Sequence, residues 1–325
     1  MGGRAIQNGR RLRADVYRQL EADILEQVRQ IYPHTWPVTY YRNKADFGDL
    51  DLIVAKPKLE RAVFEHFLEQ IGSREVVYNR DNISFEYQQF QIDLIFVEAD
   101  HVQTALFYYA YNDLNNLVGR IAHKLGLKFG WDGLTYQIRT EAGHQAQKLI
   151  LSRDPAQIYA FLGYDYARWQ AGFDSLEEIF QFVSSSPYFN PLIYQEEHLN
   201  HSNRTRNLKR KTYRGFLGWL QCQPDLRHYR FEDDKSLYLI RIHNSFLEVD
   251  FLGQLKVYAE QERLHHQRHL KFNGHLVQAW TGLQGAELGK CMQTFKQQFE
   301  QFEAWLDTQS ESDIQAVFIN WFQTI

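Results

Sequence analysis

The chain is poor in cysteine, in long apolar runs and in net positive charge, and each shortage removes a class of protein. Its 325 residues hold two cysteines, Cys222 and Cys291. Two thiols so far apart in sequence build no disulfide framework and fit a reducing compartment, so a cytoplasmic location is expected. No apolar run approaches the roughly eighteen residues of a membrane span. No apolar segment follows the basic residues of MGGRAIQNGRRLRADVY, so neither a secretion signal nor an anchor is expected there. Lys and Arg number 36 against 40 Asp and Glu, a formal net charge of -4; nothing global draws such a chain to nucleic acid, and any such contact must come from a local patch. Internal repeats and low-complexity linkers are absent as well, and nothing marks an obligate protein partner.

What remains has the composition of a globular protein, 44% hydrophobic and 23% charged, with length for two domains. Leu12, Val16, Leu20, Ile24, Val28 and Ile31 recur at helical spacing, which predicts an amphipathic helix over about 11–31, ended by Pro33. PVTYYR reads as extended, DLDLIV as a strand closed by Pro57, and residues 58–71 as a helix terminated by Gly72. REVVYN, ISFEYQQ and FQIDLIFV read as three strands, with a turn at 80–82. From Val102 the pattern becomes helical through ALFYYAYNDLNNLVGRIAHKLGL, followed by an extended GLTYQIRT after the Gly130–Gly133 turn. Ser175 with Glu178 is a capping-box signature for a helix through Phe182. Residues 245–268 and 285–306 have the spacing of two more helices. The expectation is an α+β domain over 1–150 with a mixed sheet and flanking helices, then a mainly helical domain over 151–325.

The chemistry concentrates in two strands. In DLDLIV, side chains two apart share a face, so Asp49 and Asp51 point one way while Leu50 and Leu52 point into a core. Adjacent carboxylates repel, and a divalent cation held by both is the usual remedy. Asp93 occupies the same setting in FQIDLIFV. Should the two strands be neighbours, three carboxylates converge as a two-metal phosphoryl-transfer site requires. The plainer alternative makes Asp49 a turn residue, pairs Asp51 with a surface lysine and leaves Asp93 on a solvated edge.

The segment TYYRNKADFGDLDLIV, residues 39–54, resembles the triphosphate and metal segment of DNA polymerase family X, within the polymerase beta-like nucleotidyltransferase superfamily. That family opens with Gly-Ser at a short helix, then an arginine, then a Gly-Asp-x-Asp strand. The resemblance implies that Thr39 stands for the serine, that Arg42 is the phosphate arginine, and that Gly48 leads into the metal ligands Asp49 and Asp51. Val38 stands where the family has glycine. The stretch after Asp93 resembles the family's thumb. There the resemblance implies Asp93 as metal ligand or general base, Phe107 and Tyr108 at the sugar, Asn112 and Asn115 at the base, and Arg120 near the minor groove. An aromatic core stripe is the other reading of 107–111. The resemblance covers about 37–138, and it implies a nucleoside triphosphate substrate, two Mg²⁺ ions or Mn²⁺ in their place, and a 3′-hydroxyl attacking the α-phosphorus with loss of pyrophosphate. With one helix ahead of the phosphate segment, the family's lyase and hairpin domains are not expected here.

NRTRNLKRKTYRGF, residues 203–216, sets Arg204, Arg206, Lys209, Arg210, Lys211 and Arg214 among no acids, with Tyr213 and Phe216 interleaved. It reads either as a phosphate track with stacking rings or as a solvated basic helix start. FNGHLVQAWTGLQGAELGKCMQTFKQ is similar to the tail of CCA-adding tRNA nucleotidyltransferases, although its glycines equally suit turns. His198 with His201, and His265, His266 and His269, read as surface or phosphate-facing side chains more readily than as a zinc set. Three functions follow: a nucleotidyltransferase acting on a DNA 3′ end or a tRNA or other RNA 3′ end, one acting on a small molecule or protein side chain, or a nucleic-acid-binding module that kept the fold. The sequence leaves open template dependence, ribo- or deoxyribonucleotide choice, and oligomeric state.

Overall fold

A computed structural model describes residues 5–7, 9–80, 82–139, 145–199, 201–207 and 210–324, with only the backbone of 145, 146, 202, 203 and 206. The chain forms two compact units, Met1–Val249 and Asp250–Ile325. The boundary expected near residue 150 falls inside the last strand of the first unit.

The first unit opens with β1 (Leu12–Arg13), α1 (Ala14–Ile31), β2 (Thr35–Pro37), β3 (Asp46–Phe47), β4 (Asp49–Ala55) and α2 (Arg61–Gln70). Then come β5 (Val76–Asn79), β6 (Asn82–Tyr87), β7 (Phe90–Val97), α3 (Val102–Tyr109) and α4 (Leu114–Lys124). A three-stranded antiparallel sheet of β8 (Leu127–Gly130), β9 (Gly133–Arg139) and β10 (Gln145–Ser152) follows. Helices then take over: α5 (Pro155–Leu162), α6 (Tyr166–Gln170), α7 (Leu176–Ser184), α8 (His201–Asn207), α9 (Lys211–Gln221) and α10 (Leu239–Ser245).

The sheet that positions the site has five strands in the order β2-β4-β7-β6-β5. It is mixed, because β4 and β7 run parallel while β2 and β6 flank them antiparallel. Alternation along β4 and β7 sorts their side chains between two faces. Leu50, Leu52 and Val54 with Ile92, Leu94 and Phe96 join a core with Leu20, Ile24 and Val28 of α1 and Phe64, Phe67 and Leu68 of α2. On the opposite face Ile53, Ile95 and Val97 pack with Val102 and Ala105 of α3. The same face carries Asp49, Asp51 and Asp93 one step earlier along each strand. At about 25 cal/mol per Å² the apolar burial on both faces fixes strand register, and register fixes the acids.

α1 begins later than its apolar period predicts, because Leu12 pairs opposite Phe47 in a short β1–β3 ladder. The helical pattern after Val102 is split between α3 and α4, with Tyr111 and Asn112 both in the left-handed region (φ 57° and 62°). Ser175 caps α7 as expected, its hydroxyl accepting from Glu178 N at 3.2 Å.

The second unit consists of α11 (Phe251–Lys271), α12 (Gly274–Thr281), α13 (Gly285–Lys296), α14 (Phe302–Thr308) and α15 (Glu311–Phe322). Its core gathers Phe272, Val277, Phe295, Leu306, Ile314 and Phe318. The helix expected over 285–306 is broken at 297–301. Asn273 caps α12, accepting from His275 N and Leu276 N, and Gly282 ends it at φ 75°. No helix among the described residues is long and apolar enough to cross a membrane.

Candidate metal centre and its surroundings

Residues Asp51 and Asp93 are direct cross-strand neighbours in the parallel β4–β7 pair, with Asp49 opposite Gln91. Each of the three carboxylates offers an oxygen within 4.8 Å of the others. Among the described residues it is this group that gathers three or more metal-capable side chains; the histidines of 198–201 and 265–269 join no such group. The structure therefore brings together the three acids that sequence alternation singles out, rather than scattering them to a turn and an edge.

Their electrostatics are those of a site short of positive charge. Burial, then the like charges of Asp49 and Asp93, push the Asp51 carboxyl well above the usual carboxylate range. Burial raises Asp93 too, against the donors that hold it ionised, Ser84 and Gln91. Gln91 Nε2 donates to both Asp93 oxygens at 2.9 and 2.8 Å, which orients that carboxylate. Three hard oxygen donors at mutual ligand distance, with Asp51 and Asp93 raised by burial and by neighbouring negative charge, could hold a metal ion. Tyr109 of α3 lies on the same face, its phenol pushed up by burial and by the charges of Tyr108 and Asp51.

One cation at this cluster was missed by the sequence reading. Lys44 is half-buried, its Nζ 4.3 Å from the centre of the Phe47 ring and 3.3 Å from Asn112 Oδ1. Burial lowers its basicity while Asp49 and Asp51 raise it, so the ammonium sits in the field of both acids. Its signal was a lysine five residues before the first aspartate, in a loop read only for Thr39 and Arg42.

The remaining candidates divide. Thr39 is exposed, its carbonyl accepting from Tyr111 N at 2.7 Å. Residues 38–45 carry a turn at 42–43 and no helix, so no helix N-terminus faces the acids there. Arg42 is turned to the segment 171–174: it pairs with Asp174 and donates to Ala171 O at 3.0 Å, while its own N–H reaches Phe173 O. Gly48 is buried between β3 and β4. Tyr108 is partly exposed, edge-on to Phe129, and Asn112 faces Lys44.

Three residues expected at a ligand are core instead. Phe107 is 2% exposed, wedged among Phe129, Tyr159 and Trp169. Asn115 is 1% exposed; it donates to Phe107 O and accepts from Tyr159 Oη at 2.6 Å. Arg120 is 6% exposed and spends its donors on Ile193 O and His198 O. A buried polar group must be satisfied, and these are satisfied by the protein.

The basic segment is partly consumed in the same way. Arg204 donates to Glu196 O at 3.1 Å, and Arg210 pairs with Asp113 at the start of α4. Tyr213 and Phe216 are fully buried, so no aromatic face interleaves with the charges. Lys211 and Arg214 are exposed, and the charge of Lys211 reaches Asp46 of β3. Lys209 and the side chain of Arg206 lie outside the described residues.

Fold and site together define an α+β protein whose mixed sheet presents an acidic triad that could hold a metal ion. No protein-family description matches the chain, and no curated protein matches it in sequence. Among solved structures it is similar to Leishmania infantum polymerase beta in a ternary P/T complex, with TM-score 0.37 and 15% identity over 49% of this chain and 75% of that one. It is also similar to the same polymerase in a ternary gap complex, with TM-score 0.32 and 15% identity over 41% of this chain and 53% of that one.

Proposed function

We propose that the protein is a metal-dependent nucleotidyltransferase that moves a nucleotide from a nucleoside triphosphate to the 3′-hydroxyl of a polynucleotide, releasing pyrophosphate. The observation that carries this reading is the pairing of Asp51 with Asp93 across parallel strands, which with Asp49 places three carboxylates within 4.8 Å. Asp49, Asp51 and Asp93 would hold the divalent ions, and such ions supply neutralisation of the triphosphate and a lowered pKa for the attacking hydroxyl. The chain's own part is placement. Gln91 and Ser84 fix the Asp93 carboxylate, Phe47 and Asn112 hold the Lys44 ammonium, and the Ile53–Ile95–Val97 cluster packs the same sheet face against α3.

A second reading, transfer to a small molecule or a protein side chain, is favoured by one observation: Tyr213, Phe216, Arg120 and Arg210 are taken up by the fold, so a stacking, basic groove for a polynucleotide is reduced to Lys211 and Arg214 among the described residues. The test is incubation of the full chain and Mg²⁺ with α-labelled nucleoside triphosphates and DNA, tRNA or no added acceptor. Label should enter a 3′ end, and Asp51→Asn should abolish that transfer while leaving the circular dichroism spectrum unchanged. An Asp51→Asn protein that still transfers label ends the metal assignment.

A further inference from the structure

A cavity of about 260 Å³ in the first unit belongs to neither the triad nor the basic segment; Asn79, Arg80, Asn82, Ile95, Tyr109 and Trp131 line most of it. β7 connects it to the triad. Asp93 and Ile95 lie two apart on that strand and share a face, and Ser84 and Asn82 of β6 stand directly opposite them, on the same face. The cavity thus begins about 7 Å along the strand from Asp93. Its floor is apolar and its rim polar. Ile95 is buried beside Val97, and Tyr109 and Trp131, both half-buried, pack against that cluster. His101 braces Trp131 edge-on at 5.6 Å and Tyr108 braces Tyr109 at 5.3 Å, while the Asp132–Lys148 pair ties the turn bearing Trp131 to β10. Asn79, Arg80 and Asn82, all exposed, close the other side from the β5–β6 hairpin. Among the described residues no side-chain hydrogen bond occupies Asn79, Asn82, Tyr109 or Trp131, whereas Asn115 and Arg120 are used up by the fold. Two braced rings, two open carboxamides and a guanidinium, with no acid among the described lining residues, suit a planar ring with a hydrogen-bonding edge on an anionic molecule.

We propose that this cavity is a nucleobase subsite: Tyr109 and Trp131 bound the ring, the carboxamides of Asn79 and Asn82 meet its hydrogen-bonding edge, and Arg80 supplies the positive charge that an anionic nucleotide needs. The proposal rests on the reading of Asp49, Asp51 and Asp93 as a nucleotidyl-transfer centre. Bases along a strand rise about 3.4 Å each, so a base about 7 Å from Asp93 belongs to the nucleotide at that centre or to its neighbour. It comes from the end of a polynucleotide acceptor or from the nucleoside triphosphate. Such a subsite supplies grip on a nucleotide in a chain whose exposed basic groove is reduced to Lys211 and Arg214 among the described residues.

Isothermal titration calorimetry on the full chain in Mg²⁺ tests this with paired probes: a single-stranded oligonucleotide, as DNA and as RNA, with or without the bases of its last two nucleotides, and ATP against inorganic triphosphate. Stacking of one base is worth on the order of tenfold in affinity, so wild type should bind at least one base-bearing probe about tenfold more tightly than its base-free counterpart. Trp131→Ala and Asn82→Ala should each shrink that ratio severalfold, and Trp131→Phe, which keeps a ring, should retain most of it. An effect on the oligonucleotide assigns the base to the acceptor, and an effect on ATP assigns it to the donor. Ratios unchanged in Trp131→Ala and Asn82→Ala, or a wild type with no preference for the base, overturn the proposal. Asn82 is exposed, so Asn82→Ala carries the same two outcomes if Trp131→Ala does not fold. Label transfer by wild type separates the two levels. Unchanged ratios with transfer intact sink the subsite alone, whereas a wild type that transfers no label and binds none of the probes sinks the nucleotidyl-transfer reading with it.

Discussion

Burial and like charge act on Asp51 and Asp93 in the same direction, so without metal the triad works against the fold it belongs to. Both carboxyls titrate above the usual value of 3.8. A carboxyl raised in the folded state holds its proton more tightly there than in the unfolded chain. Its contribution to stability is therefore complete below the unfolded value and is lost as pH rises through the folded one. In chelator, the melting temperature should rise on acidification from neutral pH toward the ordinary carboxylate value. Below that value paired acids such as Asp46, held down by Arg11, take their stabilisation away as they protonate. In saturating Mg²⁺ the upper part of the profile should invert, because protons then compete with the ion. Asp51→Asn removes one of the repelling charges and should stabilise the metal-free chain at neutral pH by roughly 1–2 kcal/mol. Thermal melts in chelator across pH decide this, and a lower melting temperature for Asp51→Asn at neutral pH would refute the account. The triad was legible in the sequence because its signal is local: a period of two fixes which side chains share a face, and only strand adjacency had to be supplied. Arg42, Asn115 and Arg120 were not legible in that way. What a donor serves depends on which acceptor the tertiary fold delivers, and Asp174, Tyr159 and Ile193 all lie far along the chain.

Turns and strand ends decide whether the elements keep the triad in register. Gly133 opens β9 at φ 116°, and a Cβ there would lie 2.4 Å from Ser152 O, so both backbone conformation and the close approach of β10 require glycine. Gly72 ends α2 at φ 71° with open space around it, which leaves only the conformational term of about 1 kcal/mol. Gly133→Ala should therefore destabilise the first unit clearly more than Gly72→Ala, by on the order of 2 kcal/mol or more in all. Chemical denaturation of the two variants measures the difference, and equal losses would show that β10 can move aside. The helix-to-helix break at Tyr111 and Asn112 and the one at 297–301 escaped the sequence reading for a shared reason. Apolar spacing continues across both and neither proline nor glycine marks either, so the stop comes from packing: Tyr111 rests on Trp169 and Phe173, and Phe299 and Phe302 close on Trp305. α1 and the strands β6 and β7 were readable nearly to their bounds.

At the scale of the whole molecule the question is how a chain with a formal net charge of -4 would hold a polynucleotide. Long-range attraction is unfavourable, so affinity must come from a few phosphates neutralised near the triad. The exposed side chains placed for that are Lys211 and Arg214 at the start of α9, with Lys211 acting on Asp46 close to β4, the strand of Asp49 and Asp51. Each phosphate contact adds roughly one unit to the slope of log affinity against log salt. Lys211→Glu combined with Arg214→Glu should therefore weaken binding of a DNA or RNA 3′ end by an order of magnitude or more at moderate salt. It should also flatten the salt dependence by about two units. Metal binding, for which Asp49, Asp51 and Asp93 would supply the ligands, should stay as in wild type. An acceptor that is a small molecule or a protein side chain has no run of phosphates to lose, so transfer to it would proceed at the wild-type rate in the charge-reversed protein. Filter binding and label transfer measured at several salt concentrations thus read the acceptor class from electrostatics, independently of which acceptor happens to be in the tube.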